Sequence, residues 1–291
     1  MIRRVVFALC VSCCLAAPPC AAQSTGVLPM NASVSARLLD GSTLLGRLTE
    51  QTTDSVQITT TSGRFMVARS AITELRLLSA REVQSGAYWP PDPHDTRLFF
   101  GPTGRTLAKG SGYFSDTYVF LFNAAVGITD RIMIGVGMSV FPVSDFLRDN
   151  VYYVAPKIAL VRGDSFNLAV GAIVGSTGGV SGTASVYYIA ATNGAPDASF
   201  TYGLGYASAA GTVHSAPLLM LGGNKRVFRK LSLMTENYVI FSGRELTWAP
   251  VYGVRFIGDR LSTDLGFVNY LGHNAKPVFP GVPWLGFALK F

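Results

Sequence analysis

The sequence predicts an all-β chain: a transmembrane antiparallel β-barrel of about twelve strands, with ten or fourteen as alternatives, preceded by a small N-terminal β-barrel domain. Three observations predict it. Apolar residues recur with period two in pieces of roughly ten residues, the rhythm of a strand with one greasy face. No apolar run of about eighteen residues exists beyond the first segment, which removes transmembrane helices. Tight connections alternate with longer ones along the second two-thirds of the chain.

Residues 1–22 read as a signal peptide. Arg3 and Arg4 form a positive start, Val5 to Ala17 an apolar stretch, and Cys20-Ala21-Ala22 a small-residue cleavage site. Cys10, Cys13, Cys14 and Cys20 all lie inside that segment. The exported chain would then carry no thiol, which excludes a disulfide framework, a cysteine nucleophile and cysteine metal ligands. The formal charge of +7 falls to about +5 once Arg3 and Arg4 leave. Dense Lys/Arg runs with interleaved aromatics are missing, so nucleic acid is not expected as a partner. Thirty-one Gly, eighteen Phe and twelve Tyr beside 14% charged residues suit short, closely packed strands carrying aromatics.

Residues 31–80 read as a small β domain of five short strands. Ser33–Leu39 meets the hairpin signal Asp40-Gly41, Leu44–Glu50 returns, and Ser55–Thr61 follows. Ser62-Gly63 turns the chain into Arg64–Ala68, one turn of helix is expected at 70–72, and Glu74–Leu78 closes the set. In this layout the region resembles the SH3-like or Sm-like barrels. The Sm-like proteins bind RNA, but acidic Glu50 and Asp54 and the inferred export argue against carrying that over. Residues 81–94, with three prolines nearby, are expected to be an extended linker.

The barrel is expected over 95–291. Strands are placed at 95–101, 112–128, 131–141, 151–161, 165–175, 182–191, 198–208, 215–227, 230–241, 246–257, 260–271 and 282–291. The last shows the alternation best: Leu285, Phe287, Leu289 and Phe291 share one face, and Trp284, Gly286, Ala288 and Lys290 the other. Thr129-Asp130, Arg162-Gly163-Asp164, Arg229 and Gly258-Asp259 are tight connections, whereas Pro142–Asn150 and Gly272–Gly281 are long. Thr192–Asp197 breaks the alternation, being longer than its side predicts. A soluble β-sandwich would also alternate, but its wet face should carry Lys, Glu, Thr and Asn in place of Gly and Ala.

With these features the chain resembles the Gram-negative outer-membrane β-barrel proteins over residues 95–291. In that class a terminal phenylalanine with alternating apolar residues before it is read by the barrel-assembly machinery. The resemblance therefore implies Phe287, Leu289 and Phe291 as an assembly signal, and outer-membrane lipid and the assembly machinery as partners. It also implies an outer-membrane location with the N-terminal domain periplasmic.

Few charges point inward if the strand phases hold. Lys157, Glu236, Arg255, Asp264 and Lys290 are expected to form a luminal network, Glu236 pairing with Lys157 or Arg255, and Asp264 with Arg255 or Lys290. Such a network either fills a closed barrel or makes a charged constriction that selects solutes. Three functions compete: a structural or small-solute pore, a barrel-anchored module that holds a periplasmic protein partner, and an outer-membrane hydrolase. The last has thin support, because His94, His214 and His273 are scattered and Ser215 is only a sequence neighbour of His214. No catalytic residue, metal site or cofactor is assigned. Gly101-Pro102-Thr103-Gly104 lacks the lysine of a phosphate loop. Tyr152, Tyr153, Tyr187, Tyr188, Trp248, Tyr252 and Trp284 are read as interfacial belts, some filling the lumen.

Overall fold

A computed structural model describes residues 28–84, 87–176, 182–209, 212–242, 245–272 and 278–291. They divide into two compact units, Met1–Trp89 and Pro90–Phe291. The segment read as a signal peptide lies outside the described residues.

The first unit is a five-stranded antiparallel sheet. Its strands are β1 (Ser33–Leu38), β2 (Thr43–Gln51), β3 (Ser55–Thr60), β4 (Gly63–Ala68) and β5 (Ile72–Leu77), in the order β4-β3-β2-β1-β5. Gly41, at φ 83, makes the first hairpin turn, a conformation a side chain would strain. A 3-10 turn at Arg69–Ala71 delivers β5 to the far side of β1. Period-two alternation puts Val34, Ala36, Leu48, Val56 and Ile58 on one face, where they form a core with Val67 and Leu28. Register shifts at Arg37/Leu38 and Leu48/Glu50 bend the sheet over that core.

Within the stretch 81–94, expected to be an extended linker, the chain makes a short ladder before its prolines. Val83–Gln84 (β6) pairs with Ala87–Tyr88 (β7), and Arg76 on β5 binds Glu82 at 2.6 Å. The ion pair therefore ties this stretch to the first unit, and the boundary falls after Trp89.

The second unit is a closed barrel of twelve antiparallel strands. They are β8 (Gly112–Thr117), β9 (Leu121–Gly127), β10 (Ile132–Ser139), β11 (Tyr152–Arg162), β12 (Phe166–Ser176), β13 (Thr183–Ala195), β14 (Ala198–Ala209), β15 (Thr212–Phe228), β16 (Leu231–Ser242), β17 (Glu245–Ile257), β18 (Leu261–Val268) and β19 (Val282–Lys290). Closure comes from β19 on β8, with Gly286 opposite Thr117 and Lys290 opposite Tyr113.

The expected total of twelve stands, but its membership changes. Residues 95–101 are not a barrel strand. The expected strand 112–128 instead divides into β8 and β9 at Tyr118 and Val119, which take φ values of 58 and 67. The apparent exception at 192–197 also disappears. β13 runs on to Ala195 and only Pro196-Asp197 turns, the carboxylate of Asp197 being held by buried Arg226 at 2.8 Å. Each connection at one end of the barrel is thus a tight turn, and the longer ones gather at the other.

Facing follows the strand period and is inverted relative to a soluble core. On β18, Leu261 and Leu265 are exposed, whereas Ser262 and Asp264 are buried. On β10, Ile132, Ile134 and Val136 point out and Met133 points in. Apolar side chains clothe the outside, and polar or small ones line the inside.

Candidate functional site: the barrel lumen and its inserted segment

Residues 92–107 occupy the lumen, because their partners lie on strands all around the ring, which only a segment inside it can touch. Lys157 on β11 donates to the Thr96 carbonyl at 2.8 Å. Thr192 on β13 accepts from the Gly104 N–H at 2.8 Å. Glu236 on β16 accepts the Phe100 and Gly101 N–H groups at 3.1 and 3.0 Å. Arg255 on β17 reaches the carbonyls of His94 and Leu98, each at 2.8 Å. Arg97 donates to Ser115 on β8 at 3.1 Å.

The segment folds as a tight hairpin within the ring. Leu98 donates to Gly101, and Thr103 donates to Thr96. Leu98 and Phe99 at the tip pack with Met234 and Val251, and Phe99 meets the Trp284 ring edge-on at 6.0 Å. Both arms descend toward the tight-turn end. One holds Asp92 against Arg255, and the other places Thr106 on the Asp130 carbonyl. Arg105 follows the second arm and donates to the Gly194 carbonyl at 3.0 Å.

Glycine explains why this segment fits. A Cβ on Gly101 would stand 2.1 Å from the Met220 sulfur and 3.3 Å from the Glu236 carboxyl carbon. On Gly104 it would stand 2.3 Å from the Asn167 carbonyl oxygen. The pair spaced by Pro102-Thr103 is therefore a close-approach device, which lets backbone N–H groups reach the wall. The sequence singles out these glycines only as an incomplete phosphate loop.

The inward charges come together as follows. Arg255, 2% exposed, binds Asp264 through Nε at 2.6 Å and Nη2 at 2.8 Å, and binds Asp92 through Nη1 at 2.9 Å. A guanidinium fork suits that fixed bidentate geometry. Glu236 is fully buried and enters no ion pair among the described residues: it accepts two backbone N–H groups in place of the expected Lys157 or Arg255. Lys157, 4% exposed, likewise spends its ammonium on a carbonyl. Lys290 sits half-buried at the tight-turn end of β19 and enters no ion pair among the described residues. Thr192 and Thr201 share a hydroxyl hydrogen bond at 2.8 Å and are fully buried.

Such burial matters because inward side chains of a water-filled channel would be wet. Here a cavity of about 10 Å³ between Asp92, Arg97, Arg105, Asn224 and Arg255 has room for roughly one water. Sequence reading found the wall charges through the strand phase and missed Asp92, Thr96, Gly101, Gly104 and Arg105. One signal was available: Glu236 lacks a cation in strand register, so its partner had to come from elsewhere.

Of the histidines, His94 is 2% exposed inside the segment, edge-on to Tyr113 at 4.5 Å. His273 and the side chain of His214 lie outside the described residues. Among the described residues no cluster of three His, Cys, Asp or Glu could hold a metal ion. The aromatic residues divide: Tyr187, Trp248 and Tyr252 are exposed on the outside, whereas Trp284 lies inside. At the seam, Phe291 exchanges backbone hydrogen bonds with Gly112, and Leu289 and Phe291 stand exposed.

No family model matches this chain, and no curated protein matches it. Among solved structures it is similar to a KdgM porin at 10% identity, with a TM-score of 0.41 over 62% of this chain and 98% of that one. A loop-deleted OmpT, an outer-membrane protein of Vibrio cholerae, shows 14% identity and a TM-score of 0.36 over 89% and 95% of the two chains. OmpF of Salmonella typhi, solved in complex with daunomycin, shows 10% identity and a TM-score of 0.32 over 89% and 94%. These are likenesses of outline, and they say nothing of residues or activity.

Proposed function

We propose that this protein is an outer-membrane anchor: a closed barrel that fastens an N-terminal β module, residues 31–80, on the periplasmic side, where it holds a protein partner. The membrane part of the reading is supported by the inverted facing, with leucine, isoleucine and phenylalanine outside and charge within. Phe287, Leu289 and Phe291 then serve as the signal to the assembly machinery. One observation carries the choice of anchor over pore. The lumen holds the chain's own segment, bound through Lys157, Thr192, Glu236 and Arg255.

Planar-bilayer recording of the full chain tests it. The wild-type protein is expected to insert and stay electrically silent. Gly101→Val, which cannot lie against Met220 and Glu236, is expected to loosen the hairpin and give steady conductance steps. A wild-type chain that conducts steadily would overturn the anchor reading in favour of a small-solute pore, whose constriction would be the same charges. Deleting residues 31–80 should leave insertion intact.

A further inference from the structure

The two rims of the barrel differ in charge. At the tight-turn end, Arg131, Arg162, Lys225, Arg229, Lys230 and Arg260 are exposed. Exposed acids at that end are Asp130, Asp164 and Asp259, and Asp130 is already engaged by Arg162 at 3.4 Å. The fourth acid there, Asp197, is taken by buried Arg226. At the opposite end the described loops set Asp145 and Asp149 against Arg148, so among the described residues the excess of positive charge lies at the tight-turn rim.

A second feature shares that rim. Four of the five turns pair a cation with exposed apolar side chains on the adjoining strand ends. Ile128 (52% exposed) and Ile132 (42%) flank Arg131, Leu160 (48%) and Val161 (41%) precede Arg162, Phe228 (68%) precedes Arg229, and Leu261 (51%) follows Arg260. A soluble protein would not repeat large exposed hydrophobes beside guanidinium groups around a ring. At a headgroup boundary the same arrangement is favourable twice over, because the apolar groups meet acyl chains while the cations meet phosphates one layer further out.

We infer that the tight-turn rim is a binding surface for anionic phospholipid headgroups of the phosphatidylglycerol type. The inference rests on the membrane reading above and adds a preferred lipid to it. Zwitterionic headgroups carry the same phosphate, but their own ammonium cancels the attraction to a rim whose cations outnumber its free acids. The preference is electrostatic and falls with ionic strength. It also fixes which leaflet the turn rim meets: the one built from anionic phospholipid.

The test is native mass spectrometry of the full chain released from vesicles of equal phosphatidylcholine and phosphatidylglycerol, with a parallel arm containing lipid A. Wild type is expected to retain phosphatidylglycerol several-fold over phosphatidylcholine at low salt, and to approach parity at high salt. The triple variant Arg229→Gln/Lys230→Gln/Arg260→Gln should bring the low-salt ratio near one, while Arg148→Gln at the other end leaves it unchanged. Parity in the wild type, an undiminished preference in the triple variant, or retention of lipid A in place of phosphatidylglycerol would overturn the inference. Insertion is scored separately in pure phosphatidylcholine vesicles. Failure to insert there sinks the membrane reading, whereas insertion without lipid preference sinks only the rim.

Discussion

Arg255 is held by two carboxylates from different parts of the chain, Asp264 on the neighbouring strand and Asp92 on the inserted segment. Desolvating three charges is expensive, and their mutual attraction offsets that cost only while all three are present. Arg255→Met strands two buried carboxylates and is expected to destabilise the folded barrel by about 3–5 kcal/mol. Denaturant unfolding in vesicles measures it, with Asp264→Leu in the same background completing a double-mutant cycle. The double variant should recover part of the loss, because Leu needs no counter-charge; strictly additive losses would refute a coupled pair. Strand phase made Arg255 and Asp264 legible in the sequence, since residues directly opposite on neighbouring antiparallel strands share a face. Asp92 was not legible. It lies 163 positions away in a proline-rich stretch with no periodicity, and nothing local ties it to Arg255.

At the scale of elements, period two identified ten of the twelve barrel strands in outline, because long ladders with one greasy face leave a strong pattern. The remaining two were hidden in one expected strand. The break falls on Tyr118 and Val119, and neither is the Gly or Asn that announces left-handed backbone. The hairpin at 96–103 is hidden for the opposite reason: its apolar run, Leu98-Phe99-Phe100, imitates a short strand, while Leu98 and Phe99 pack inside the ring. The pairing of Val83–Gln84 with Ala87–Tyr88 is not legible locally, because the stretch is held by Arg76 in a different element. Burial alone would raise the Glu82 carboxyl pKa, but the Ser79 N–H, the Arg76 guanidinium and the Ser79 hydroxyl outweigh it and hold it below the usual 4.5. A lowered folded pKa means that the contribution is complete above that value and is lost as pH falls through the lower folded one. The protection factor of the Trp89 amide, which donates to the Glu82 carbonyl, should therefore drop on acidification below about pH 4.5. Glu82→Gln should remove that pH dependence. The effect should not exceed about 1 kcal/mol, because the Arg76 side chain is 40% exposed and water screens the pair.

For the whole molecule, the distribution of surface decides what solvent the barrel was built for. Leu265 at the middle of β18 stands 42% exposed on the outside, while its neighbours two along on either side, Thr263 and Phe267, are only partly covered. The same strand turns Ser262 and Asp264 inward. In water this arrangement wastes apolar area and buries charge, whereas in a bilayer the outside meets hydrocarbon and Asp264 inside keeps Arg255 as its partner. The two solvents predict different results for one substitution. Leu265→Arg replaces a side chain that touches little protein, so in a water-soluble barrel it should change stability by no more than about 0.5 kcal/mol. In a membrane barrel the guanidinium must enter hydrocarbon near mid-depth, and the cost should be about 2–4 kcal/mol. Unfolding of the full chain from phosphatidylcholine vesicles, compared with wild type, distinguishes the two, and a near-neutral Leu265→Arg would mean that lipid does not surround this ring.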